Sequence, residues 1–526
     1  MPHIFLYLVP CILCRGNGIN QIFAVLKSHS KKVNQRKEEV KVISPLVVPR
    51  SSCLNTSLTM TVSGKYPAKA HALNVYNHFK THSKITSPVG FFLSGESYEF
   101  WEYSDQTKPI RQNRYFFYLS GVSIPGSHVF YDSESDSLTL FLPEVDEEDV
   151  MWSGLPLSVE EAKSKYNVDH VKYSDKIEKE LSSFKGKKIY TTSLNKNNEK
   201  YSSLLTADDK SFFYALDESR LIKDSYEIEL MRKAAKLTDN CHLAVMSALP
   251  IEHNESHIHA EFMYHALRQG SKYQSYDPIC CSGENCSTLH YVKNDEDIAP
   301  TRRSVLIDAG CEWECYASDV TRCFPINGEW TKEHLEIYKL VLKMQSSASE
   351  TAKPGALWED LHLHAHKVLI EGFLELGIFK SEYTVEELFK AKVSARFFPH
   401  GLGHLLGMDT HDVGGYPKYD DPDPLLQYLR MRRTLQAGMV ITNEPGCYFN
   451  PFLLDEVLNG ELIKYINKDV LDKYWYIGGV RIEDDLLITE DGYENLTGIT
   501  SDPEEISKII KKGLERAAAD GFHNVV

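Results

Sequence analysis

Two aspartates, Asp308 and Asp319, stand in the segment VLIDAGCEWECYASDVTR, and His404, Glu444 and Glu483 follow them along the chain. Val305 to Asp308 reads as a buried strand, Cys311 to Glu314 as a polar turn, and Cys315 to Arg322 as a returning strand. A turn centred between Trp313 and Glu314 would set Asp308 directly opposite Asp319, with Cβ atoms on the order of 5 Å apart. Two ionised carboxylates that close repel, and one takes up a proton unless a divalent cation lies between them.

His404 lies in FFPHGLGHLLGMDTHD, with His400 and His411 on either side, and the glycines there permit close backbone approach. Neutral imidazole is a good ligand for Mn, Co or Zn. Glu444 ends the apolar run GMVITNE before Pro445 and Gly446, so a strand stopping there leaves its last side chain at a rim. Glu483, in GGVRIEDD, shares a strand face with Arg481 because side chains alternate with period two. Two Asp, two Glu and one His make a hard donor set, suited to a pair of Mn-like ions rather than to structural zinc. Carboxylates bridging such ions hold them roughly 3.5 Å apart, and a water between them becomes hydroxide near neutral pH. The chemistry expected is metal-assisted hydrolysis.

In order along the chain, SGENCSTLHY, LIDAGCEWECYASDVTRCFP, FFPHGLGHLLGMDTHDVGG, NEPGCYF and GGVRIEDD resemble the pita-bread metallopeptidases, in their prolidase and aminopeptidase P branch. Upstream, GKYPAKAHA, NRYFFYLSG and MWSGLPLSVEEA look like the fungal Xaa-Pro aminopeptidases or dipeptidases of that branch, so the resemblance runs from about Ser63 to Thr500. It implies an α/β chain, with an N-terminal creatinase-like α/β domain followed by a C-terminal pita-bread α+β catalytic domain. It implies two divalent metal ions, most simply Mn(2+): Asp308 chelating one, His404 and Glu444 the other, and Asp319 and Glu483 bridging them. His290 and His411 match histidines that bind substrate and stabilise the tetrahedral intermediate, and His400 one that lines the leaving-residue pocket. Tyr448 and Arg481 match a proton-relay or positioning pair beside the first Asp, and Glu444 a proton shuttle to the departing proline nitrogen. The resemblance also implies a homodimer in which the leading domain of one subunit borders the active site of the other.

The implied substrates are Xaa-Pro dipeptides or short peptides with proline second. Their scissile bond is a tertiary amide with no N–H, which general peptidases that hydrogen-bond that group bind poorly. A dipeptidase must also read the free proline carboxylate, a task suited to the planar fork of Arg. Arg430 aligns with the prolidase residue for it, but Arg432 and Arg433 stand beside it. The rival readings are a methionine aminopeptidase, which lacks so large a leading domain, a creatinase-like hydrolase, and a catalytically inactive peptide-binding or scaffold protein of the same fold.

Composition is ordinary for globular material, 42% hydrophobic and 25% charged, and a net charge of −16 argues against nucleic acid as a partner. The scattered cysteines, several beside the ligands, point to a reducing compartment, and Cys11 with Cys14 is one CxxC without a second half. No membrane span is expected. Residues 1–59 differ from the rest: an apolar start broken by Pro10, then a basic stretch with mild transit-segment character, so the favoured expectation is a true start at Met60 and a cytoplasmic location, the alternative being a targeting extension and a mitochondrial one. An N-terminal aminopeptidase P-like domain is expected over 60–223, in which RYFFYLSG and SLTLFLP read as strands and SVEEAKSKYNV as a helix. The catalytic domain is expected over 224–503, opening on a helix capped by Asp224 with Glu227 in a capping box, and 504–526 reads as an amphipathic tail. The polar stretch from Asp455 to Trp475 reads as surface elaboration, and His362, His364 and His366 as packed or surface residues rather than ligands.

Overall fold

Short apolar runs form strands and capped amphipathic segments form helices in the computed structural model, which describes residues 62–193 and 196–520. The extension 1–59, with Cys11 and Cys14, lies outside the described residues. The leading half contains α1 (Ala68–Ser83), β1 (Gly90–Ser94), α2 (Arg114–Ser120), β2 (His128–Asp132), β3 (Ser137–Leu142), α3 (Val159–Lys165), β4 (His170–Tyr173), α4 (Ile177–Ser183), β5 (Ile189–Thr191), β6 (Thr206–Ala207) and α5 (Ser211–Leu221). Its strands form one mixed sheet in the order β4-β3-β2-β1-β5-β6. The helices α1 and α5 pack together over it, with Phe79, Phe91 and Phe212 in mutual ring contact.

One expected strand is a helix. RYFFYLSG forms α2, because the Asn113 side chain accepts the Phe116 N–H at the start and the Gly121 N–H returns to Phe117 O at the end. Residues 116–120 are all buried, so the periodicity that separates helix from strand is absent, and the caps decide.

The second half begins at α6 (Ser225–Ala248), where Asp224 and Glu227 form the capping box expected for them. It continues through α7 (Glu255–Arg268), β7 (Ile279–Ser282), β8 (Ser304–Asp308), β9 (Glu312–Trp313), β10 (Tyr316–Ala317), β11 (Thr321–Pro325), α8 (Lys332–Ser349), α9 (Trp358–Glu375) and α10 (Val385–Lys390). Then come β12 (Val440–Asn443), β13 (Gly446–Tyr448), α11 (Pro451–Leu458), β14 (Gly479–Arg481), β15 (Asp484–Ile488), β16 (Tyr493–Asn495) and α12 (Pro503–Asp520). Two antiparallel sheets of three strands, β11-β8-β7 and β12-β15-β16, each have a helix pair beside them: α6 with α7 and α8 with α9. A bridge between Thr321 and Glu483 joins the sheets, and the small β13-β14 pair lies alongside.

The hairpin that carries the aspartates has a different register from the one expected. Asp308 pairs with Thr321 and Trp313 with Tyr316, so the turn is centred between Glu314 and Cys315 and Asp319 is offset from Asp308 along the strand. Both turn residues have positive φ, 47° and 68°, as a two-residue type I′ turn requires, although neither is the Gly or Asn that normally marks one. The slip is by two residues, which preserves the face.

The amphipathic tail docks: α12 packs against α6, with Ile506 and Ile510 fully buried in the main core. The stretch after Asp455 is more than surface, since Val457, Ile466, Leu471 and Tyr474 join the same core. An apolar cluster combining Tyr66, Phe117 and Leu216 with Leu230, Met231, Tyr316 and Leu406 runs continuously from the leading half into the second. His362 and His366 are buried and His364 is exposed. Among the described residues eight cysteines are free and buried, and no helix is long and apolar enough to cross a membrane.

Candidate active site

The strand ends and turns deliver the sequence-predicted ligands to one place. Asp308 closes β8, Asp319 precedes β11, Glu444 follows β12, and Glu483 sits between β14 and β15. His404 lies on the Gly-rich loop that runs beside β12, joined to it by the Leu405–Ile441 bridge. Its glycines are sterically required: a Cβ on Gly403 would lie 2.1 Å from the Thr442 carbonyl oxygen.

Asp319, His404 and Glu483, all buried, each offer a donor atom within 4.8 Å of the others. His404 Nε2 is 3.5 Å from Asp319 Oδ2 and 3.3 Å from Glu444 Oε1. Its Nδ1 is held against the Leu405 carbonyl at 3.0 Å, so Nδ1 carries the proton and Nε2 points its lone pair into the carboxylate cluster. Thr321 Oγ1 donates to Glu483 Oε2 at 2.6 Å, and Thr442 Oγ1 to Glu444 Oε1 at 3.2 Å. Arg481 donates from Nη2 to Asp308 Oδ2 at 2.5 Å, neutralising one of the four carboxylates.

The remaining negative charge is poorly compensated by the protein. Burial and then the Asp308 charge push the Asp319 carboxyl well above its ordinary range, and burial followed by the charges of Asp319, Glu444 and Asp308 does the same to Glu483. Glu444 is pushed up to about 7 by burial, against the attraction of His404. Four converging carboxylates with an imidazole lone pair aimed at them are the donor set that divalent cations fit, because the cations remove the repulsion the cluster otherwise carries.

Beside the cluster, His400 Nδ1 donates to Gly401 O at 2.8 Å, so its Nε2 accepts from the Tyr448 hydroxyl, also at 2.8 Å. The same hydroxyl accepts from Arg481 Nη1 at 2.8 Å, making a continuous chain from His400 to Asp308. A cavity of about 1070 Å³ opens over the cluster, and His290, His400, His411 and Arg430 all line it. Partial desolvation, with the Arg481 and Arg430 charges nearby and against the pull of Asp308, lowers the His290 imidazole below its ordinary value. Of the three neighbouring arginines, Arg432 pairs with Glu359 and Asp421, and Arg433 with Glu218. Arg430 faces the cavity and contacts only the Tyr419 hydroxyl, at 3.4 Å, with no carboxylate partner among the described residues.

Residues that sequence reasoning missed complete the site. Tyr276 places its hydroxyl against both Asp308 Oδ1 and Asp319 Oδ1. Asp485 accepts the Asp319 backbone N–H and the Ser318 hydroxyl, fixing the turn into β11. Arg111, Gln112, Asn113 and Arg114 of this chain's own leading half also line the cavity.

The pattern of metallopeptidase family M24 matches residues 229–490, and that of the aminopeptidase P N-terminal domain matches 81–190. An uncharacterised peptidase of Saccharomyces cerevisiae is 55% identical over 88% of this chain and 87% of its own length. A probable Xaa-Pro aminopeptidase of Verticillium alfalfae is 46% identical over 85% of this chain and 98% of its own. The solved structure of Pseudomonas aeruginosa aminopeptidase PepP superposes with a TM-score of 0.72 at 28% identity, covering 86% of this chain and 99% of that one.

Proposed function

The chain belongs to metallopeptidase family M24, with the pita-bread fold and the aminopeptidase P N-terminal domain, and from that membership we propose that it removes the first residue from peptides with proline second. The observation that carries the reading is the convergence of Asp319, His404 and Glu483 donor atoms, flanked by Asp308 and Glu444, under a cavity lined by three further histidines. We divide the chain at Asp224, with α12 belonging to the catalytic domain.

Asp308, Asp319, His404, Glu444 and Glu483 would hold two divalent cations, Mn(2+) being the simplest assignment for so oxygen-rich a set. When bound, they supply Lewis acidity and lower the pKa of water. His290 and His411 meet the substrate carbonyl from the cavity and donate hydrogen bonds to the oxygen on which charge develops. Glu444, at the rim of the cluster, takes a proton from the attacking water and delivers it to the proline nitrogen, which leaves as a secondary amine. His400, backed by Tyr448, forms one side of the proline pocket, and Arg481 keeps Asp308 oriented through the chain of hydrogen bonds already described.

Substrate length follows from what Arg430 reads. The relatives' names and the open cavity favour peptides of three or more residues, an aminopeptidase P. A dipeptidase is the second reading, favoured by a guanidinium that faces the cavity without a carboxylate. Turnover of a matched Xaa-Pro dipeptide and Xaa-Pro-Yaa tripeptide separates them. Preference for the tripeptide supports the aminopeptidase, and preference for the dipeptide that is lost in Arg430→Ala supports the dipeptidase. Equal cleavage of matched Xaa-Ala peptides would contradict proline specificity.

A further inference from the structure

His411 lines the cavity, yet its ring makes no hydrogen bond among the described residues. Its one ring contact is edge-on to His404, at 4.5 Å between centroids and 89° between planes. Such a side chain is placed by its backbone. The two residues that bracket it, Asp409 and Asp412, are both tied to a single buried guanidinium: Arg220 Nη2 lies 2.6 Å from Asp409 Oδ2 and 2.6 Å from Asp412 Oδ1. Lys223 Nζ takes the other Asp412 oxygen at 2.8 Å. Arg220 lies in the last turn of α5 and Lys223 in the short link to α6, so both cations belong to the segment that joins the two halves of the chain.

The loop folds closely around these pairs. Arg220 is fully buried, its guanidinium 5.1 Å over the Tyr115 ring, and its Nε and Nη1 have no hydrogen-bond partner among the described residues, so its hydrogen bonds there are to these two carboxylates. A Cβ on Gly407 would fall 2.1 Å from Asp412 Oδ2, so the loop folds back on that carboxylate only because residue 407 lacks a side chain. Thr410 is held separately, its hydroxyl donating to Ser275 O at 3.1 Å, and Arg114 of the leading half approaches Asp409 at 3.6 Å. Burial of an ion pair costs desolvation that attraction must repay, and its best-attested use is to fix one geometry among several.

We propose that Arg220, assisted by Lys223, is a positioning residue for His411: by clamping the carboxylates on both sides of it, the interdomain link fixes the imidazole over the substrate carbonyl. Activity thereby depends on the leading half through the link as well as through the cavity wall. The proposal rests on the catalytic role given to His411 above.

Arg220→Met and His411→Ala, alone and together, test it on an Xaa-Pro-Yaa peptide. Arg220→Met is expected to lower kcat/KM by about 10- to 100-fold, with the loss in kcat. In the His411→Ala background it is expected to cost no more than about twofold further. An equal loss in both backgrounds would overturn the proposal and leave a merely structural ion pair. Asp409→Asn, which neutralises the half-exposed partner, is the variant to use if Arg220→Met does not fold, and the same non-additivity with His411→Ala is expected. Amide hydrogen exchange over residues 405–414 needs no activity: it should accelerate in the variant while the rest of the chain keeps its protection, and unchanged exchange there would contradict the clamp. A wild-type protein that cleaves no Xaa-Pro peptide sinks the functional reading instead, and the exchange result still decides the clamp.

Discussion

Tyr448 and Arg481 meet across the β13-β14 pair, the phenol oxygen 2.8 Å from guanidinium Nη1, which ties the phenol to the carboxylate cluster through the guanidinium. Arg481 reaches Asp308 with its second terminal nitrogen, and the Tyr448 hydroxyl donates a hydrogen bond to His400 Nε2. Tyr448→Phe removes the bridge while keeping the ring. It is expected to reduce kcat about 10-fold or more, with KM little changed, since a hydrogen bond to a charged group is worth about 1.5–3 kcal/mol. Arg481→Met removes the group that holds Asp308 in place and should cost more than Tyr448→Phe in metal affinity, the lost orientation outweighing the gain in negative charge. The reverse order in a metal titration would contradict the linkage.

Cations should stabilise the fold through the cluster. A ligand present at a hundred times its Kd adds about 2.7 kcal/mol, readable as a rise in Tm when Mn(2+) is added to chelator-treated protein. His404→Ala, which deletes the Nε2 donor, should remove most of the shift. A shift that survives in that variant would mean the cations bind elsewhere.

Gly403 tests the local backbone. Gly403→Ala drives a methyl into the Thr442 carbonyl and displaces the residue next to it, His404. Overpacking of this kind costs about 1–3 kcal/mol, and the variant should lose metal affinity along with stability. Wild-type affinity with lowered stability would show that His404 tolerates the displacement.

Acid should weaken the fold through buried neutral histidines. Burial lowers His334 to about 3, while the unfolded chain protonates it near 6.5. Its contribution is therefore complete above about pH 6.5 and is lost progressively as pH falls towards the folded value, by up to about 2 kcal/mol at pH 5. The stability difference between wild type and His334→Leu, from denaturant unfolding at pH 7.5 and 5.0, should shift by that order in favour of the variant at pH 5.0. No shift would mean that His334 is protonated in place. His71 runs the opposite way: burial pulls it down, but the hydrogen bond to Asp224 and the charges of Glu227 and Asp224 leave it above its ordinary value. Its contribution is complete below about 6.5 and fades as pH rises through the folded value.

The second half was legible because its chemistry sits at strand ends, where an apolar run stops at a carboxylate: Asp308 after Val305, Leu306 and Ile307, and Glu444 before Pro445. The caps of α6 were equally readable from Asp224 and Glu227. What escaped was decided by contacts distant in the sequence. Tyr276 and Asp485 reach the aspartates through tertiary folding alone. The turn at Glu314 and Cys315 lacks the Gly or Asn that usually marks it, so its register could not be read locally, although the two-residue slip left both aspartates on one face. α2 had its signals in Asn113 and Gly121, outweighed by an aromatic run that reads as a strand.

The most direct test of the central claim is turnover of an Xaa-Pro-Yaa peptide by chelator-treated protein, before and after Mn(2+) is restored, beside Glu483→Gln treated in the same way. The dinuclear reading predicts no turnover without metal, recovery on adding it, and loss of that recovery in Glu483→Gln. Full activity in the metal-free protein, or in Glu483→Gln, would contradict it.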